Sequence, residues 1–130
     1  MDYSSADEIE RVVRGFETCE TDKTAFRHRE HITVAVWYLQ TLDTKAAVER
    51  MRTALLRFVD HHGVPREKYS EEVTVFWIEL IAEKLRELAP GASLVEKCNY
   101  VIKNTDGTDF MRPTRKQASR AVNEESLARS

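Results

Sequence analysis

A chain of 130 residues with 42% hydrophobic and 32% charged content suits one globular domain, which buries about two thirds of its unfolded surface without disulfide or metal staples. A formal net charge of -2 excludes a global field that would draw in nucleic acid or an anionic membrane surface, so either partner would need a local patch. No apolar run approaches the roughly 18 residues that span a bilayer, and no N-terminal apolar segment precedes a cleavage-like site, so the expectation is a cytoplasmic protein with no membrane partner.

In chain order, Ser5-Ala-Asp-Glu8 has the capping-box spacing, and Ile9, Val12, Val13, Phe16 and Cys19 follow at helical intervals. This predicts an amphipathic first helix from Ala6 to about Glu20. Gly15 interrupts it at roughly 1 kcal/mol relative to alanine, which points to the close approach of a neighbour. After the polar Thr21-Asp-Lys-Thr24, a second helix is expected from His28 to near Leu42. His28, His31, Ile32, Ala35, Leu39 and Leu42 share one stripe of it, while Val34, Val36 and Trp37 occupy the opposite side. A helix apolar around most of its girth is the central one of a bundle.

Asp43 or Thr44 caps a third helix carrying Ala47, Val48, Met51, Leu55, Phe58, Val59 and His62, with Gly63 and Pro65 as its stop. The longest helical pattern runs from Tyr69 to Leu88, its stripe formed by Val73, Phe76, Trp77, Leu80, Ile81 and Leu88, and Pro90-Gly91 ends it. A second capping-box match, Ser93-Leu-Val-Glu96, starts a shorter helix through Val95, Cys98, Val101 and Ile102. Cys19 and Cys98, far apart on apolar-periodic segments, read as buried small hydrophobes. The expectation is an all-α, single-domain antiparallel bundle of four to five helices over residues 1–103. An irregular C-terminal loop and tail, residues 104–130, packs on it or trails from it.

The histidines carry the first functional signal. His28-x-x-His31 puts two imidazoles one turn apart on one face, a spacing that suits two ligands of a divalent metal ion such as zinc, iron, copper or nickel. The other reading is a pair satisfied by a backbone carbonyl or carboxylate at a helix start. Arg27 and Arg29 raise the local positive potential and oppose a cation. Further partners are His62, at the end of the third helix, and Tyr69, Ser70 and Glu71, at the start of the fourth, which antiparallel packing brings to the same end of the bundle. Ser70 and Thr74 share a face with Trp77 and Ile81. Ser70 either lines a polar pocket or caps its helix, and Glu71 either joins the site or favours the helix dipole. Tyr69 is a proton donor or a packing residue, and His61 sits where the dipole stabilises a cation. The basic run Arg112, Arg115, Lys116 and Arg120 has no interleaved aromatics and has acids around it, so nucleic acid is not the expected partner.

At Phe26-Arg-His28-Arg-Glu-His31, then Ala35-Val-Trp-Tyr-Leu39, and again at Lys68-Tyr69-Ser-Glu71-Glu-Val-Thr74-Val-Phe-Trp77, the chain resembles a family of small, functionally uncharacterised all-helical proteins. That family carries Phe-x-His-x-x-His before an Ala-Trp-x-Tyr-Leu helix, and Tyr-His-Glu-Thr-x-Thr before a later tryptophan. The resemblance covers roughly Thr24 to Leu85 and implies an all-helical domain, with no activity to carry over. Ser70 stands where the family has a histidine and Glu72 where it has threonine. If that histidine is a third metal ligand in relatives, only water or Glu71 takes its place here.

The leading expectation is therefore a polar pocket at the ends of the second and fourth helices, built by His28, His31, Tyr69, Ser70, Glu71 and Thr74. It would take a small molecule or, failing that, a divalent metal on His28 and His31. If the domain is an enzyme, His31 is its general acid or base, paired with Glu71. The competing expectation is a non-catalytic protein–protein interaction module; a homo-oligomer is compatible with either.

Overall fold

The computed structural model describes residues 2–105. Five α-helices are present among them: α1 (Ala6–Glu17), α2 (His28–Leu39), α3 (Thr44–His61), α4 (Glu71–Arg86) and α5 (Leu94–Asn104), with a short 3-10 turn, Arg66–Lys68, between α3 and α4. No strand occurs among the described residues, and no helix there is long and apolar enough to cross a membrane. Of the tail expected over residues 104–130, Asn104 instead ends α5, and residues 106–130, with the basic run, lie outside the described residues.

The helices pack as a bundle around α2, which contacts each of the other four. That follows from its sequence: Ile32, Thr33, Val34, Ala35, Val36 and Tyr38 are all buried, so no face of the helix is left for solvent over this stretch. Trp37 is half-buried and packed against the same core. Thr33 tolerates its burial because its hydroxyl donates to the Arg29 carbonyl at 2.8 Å and is shared with the Tyr3 hydroxyl at 2.9 Å. Tyr3 itself is buried, with the Arg29 guanidinium lying over its ring. Cys19 and Cys98 are buried and free, and burial pushes the Cys98 thiol up to about 12.

Capping fixes most helix starts. Ser5 with Glu8, and Ser93 with Glu96, form reciprocal capping boxes, while Asp43 accepts from the Ala46 N–H at 2.8 Å. Three helices are shorter than periodicity predicts, each for a backbone reason. α1 stops at Glu17 because Cys19 takes a left-handed φ of 64°, the usual conformation just past a helix end. α2 stops at Leu39 because the chain must become extended by Asp43, the N-cap of α3. α4 begins at Glu71, two residues late, because Tyr69 and Ser70 are extended and Ser70 serves as its cap. Gly15 does meet a neighbour: a Cβ there would collide with Thr21 Oγ1.

Candidate functional site

The leading ends of α2 and α4 come together, with α3 closing the third side, around a cavity of about 210 Å³. From α2 and the segment before it come Phe26, His31 and Ala35; from α3 come Met51, Leu55, Phe58 and Val59. The approach to α4 and its first three turns supply Lys68, Tyr69, Ser70, Val73, Thr74, Trp77, Ile78 and Ile81. Lys23 and Val64 complete the wall. The lining is thus mostly aliphatic and aromatic, with polar groups from the start of α4 and its approach, from His31 on α2 and from Lys23.

The His31 imidazole is strongly perturbed. Its Nδ1 lies 3.0 Å from the Arg27 carbonyl oxygen. A carbonyl only accepts, so Nδ1 carries the proton and Nε2 is the acceptor nitrogen of the neutral ring. Burial lowers its pKa to about 4, outweighing the Arg27 carbonyl that favours the charged form, and neighbouring His28 adds to the lowering. At neutral pH the ring is uncharged. His28 is not part of the cavity wall; it packs edge-on to Trp77, with centroids 5.7 Å apart.

Glu71, expected beside His31, faces elsewhere. Its Oε1 accepts from the Tyr69 hydroxyl at 2.6 Å and from Arg52 Nε at 3.1 Å, on the exposed side of the α4 start. Desolvation, reinforced by Glu71, pushes the Tyr69 hydroxyl up to about 12, so it is a proton donor throughout the physiological range. Ser70 both lines the cavity and caps α4, accepting from the Val73 N–H at 3.2 Å. The Thr74 hydroxyl is buried and donates to the Ser70 carbonyl at 2.9 Å. His62 lies tilted against Phe58, with centroids 4.4 Å apart and planes inclined at 53°, and is not among the cavity-lining residues.

No three His, Cys, Asp or Glu side chains among the described residues converge to hold a metal ion. The His28 and His31 rings are engaged with Trp77 and with the Arg27 carbonyl respectively. Of the six residues expected to form a polar pocket, His31, Tyr69, Ser70 and Thr74 line one cavity, while His28 and Glu71 flank it. Sequence reading did not single out Phe26 or the α3 residues as cavity walls. The α3 stripe was visible as apolar, but periodicity does not distinguish a face that fills a core from one that borders a void. Comparison with family models, curated proteins and solved structures finds no match to this chain.

Proposed function

We propose that this domain is a cytoplasmic binding protein for a small, largely apolar molecule, held in the cavity between α2, α3 and α4. The observation that carries the reading is the composition of the lining: His31, Tyr69, Ser70 and Thr74, with Lys23 and Lys68, are the polar residues of a cavity otherwise walled by aliphatic and aromatic side chains. Ligand sites have this character, mostly hydrophobic with a few placed polar groups that fix orientation. His31 supplies an uncharged ring, and the Tyr69 oxygen, whose proton is donated to Glu71, supplies an acceptor. Binding is favoured over proton transfer at His31, because an imidazole with a pKa near 4 is a weak base at neutral pH, where general acid–base catalysis wants a matched group.

Trp77 is buried and lines the cavity, so its fluorescence reports occupancy. In a Trp37→Phe background, small aromatic and aliphatic probes should change Trp77 emission saturably and raise the melting temperature, as ligand linkage requires. Leu55→Trp, which fills the cavity from α3, should abolish both responses while the fold persists. Probes that leave wild-type emission and melting unchanged would defeat the reading and favour a domain used through its surfaces.

A further inference from the structure

We propose that the ligand is a small monocarboxylate, its apolar part inside the cavity and its anionic group at the mouth between Lys23 and Lys68. This rests on the binding reading above and adds the ligand's charge and size. Two observations set the charge. Lys23 and Lys68 both border the cavity and both are exposed, so they mark where it meets water, and no aspartate or glutamate borders it. Both lysines are also electrostatically uncommitted. Like several other surface cations, Lys23 and Lys68 have no ion-pair partner among the described residues, and they are the two that border the cavity. The nearest acid in sequence on α4, Glu71, is already offset by Arg52.

Size follows from volume. At about 210 Å³ the cavity exceeds the roughly 150 Å³ void that takes benzene and falls short of the roughly 300 Å³ at which drug-sized sites begin. A single ring with a short side chain, or a short alkyl chain, fits; a long-chain fatty acid does not. The neutral His31 ring leaves the interior uncharged, so an anion would not be drawn past the mouth.

The test compares three probes of one shape and different charge, phenylpropanoate, phenylpropanol and phenylpropylamine, titrated against the full chain by Trp77 fluorescence and calorimetry. Phenylpropanoate should bind about tenfold more tightly than phenylpropanol, the scale of two partly solvated charge contacts, and added salt should shrink that preference. Lys23→Gln with Lys68→Gln, both at exposed positions, should bring phenylpropanoate affinity down to that of phenylpropanol and remove the salt dependence of the difference. Equal affinity for all three probes, or preference for the amine, would overturn the carboxylate assignment while leaving cavity binding intact. Binding by none of them would overturn both.

Discussion

The ring of Phe26 covers the imidazole of His31, with centroids 4.2 Å apart and planes inclined at 54°. The contact takes one side of the ring away from water, so it belongs to the burial that disfavours the imidazolium. The folded pKa lies near 4 against 6.5 for an ordinary histidine. As pH falls, the unfolded chain therefore takes up the proton first, and stability present above pH 6.5 is lost toward pH 4. The loss attributable to this one ring is at most about 3 kcal/mol. Denaturant titrations should show wild type converging on His31→Gln by that amount across the window. A constant gap between the two would mean that the imidazole is solvated.

Phe16 supports the same arrangement from behind. It is wholly buried and stacks on Phe26 with centroids 4.3 Å apart and planes within 8°, while Phe58 tilts against it at 5.3 Å. Phe16→Ala should cost about 3–5 kcal/mol, a large share of the roughly 5–15 kcal/mol available to a domain. The milder Phe16→Leu keeps the fold but frees Phe26. It should move the His31 titration, followed by NMR, upward from about 4 toward 6.5. An unmoved titration in a folded Phe16→Leu protein would show that Phe26 does not set the burial of His31.

Much of this was legible in the chain. The all-round apolar character of residues 32–38 identified the central helix, and Ser5 and Ser93 cap where their spacing placed them; Asp43 rather than Thr44 caps α3 and Ser70 caps α4, while α2 is entered from Arg27 and not from Asp22 or Thr24 as its polar approach suggests. The meeting of His31 with the Tyr69–Thr74 stretch was likewise foreseeable, because short connections between α2, α3 and α4 return the chain to the same end. Pairing choices were not. Nothing local says that Glu71 will satisfy Tyr69 and Arg52 rather than His31, since Arg52 comes from α3 and its position depends on the packed bundle. Tyr3 was equally hidden: its burial relies on Thr33 and on Asn99, which accepts from the Tyr3 N–H at 2.8 Å across most of the described chain.

Ser70 has two roles that substitution separates. Ser70→Ala removes the acceptor for the Val73 N–H and should lower stability by about 1 kcal/mol, the usual cost of a lost N-cap. Ser70→Asn retains a capping oxygen and should return most of that stability. If Asn also weakens phenylpropanol binding while Ala does not, the side chain's volume at the wall matters to the ligand; if Asn fails to restore stability, the hydroxyl is not acting as the cap.

Gly15 and Thr21 form a local conflict whose sign a double-mutant cycle can read. An alanine at position 15 gains about 1 kcal/mol of helix propensity, but its Cβ would collide with Thr21 Oγ1. Thr21 Cβ, by contrast, would stand 3.6 Å away, an ordinary contact. The Thr21 N–H also donates to the Gly15 carbonyl at 3.0 Å, which holds the two backbones together and limits how far either can withdraw. Gly15→Ala alone should therefore be neutral or destabilising. In a Thr21→Ala background, where the offending oxygen is gone and the backbone bond is kept, the same substitution should stabilise by about 1 kcal/mol. Equal effects in both backgrounds would mean that Thr21 simply rotates out of the way, and that the glycine is not required by its neighbour.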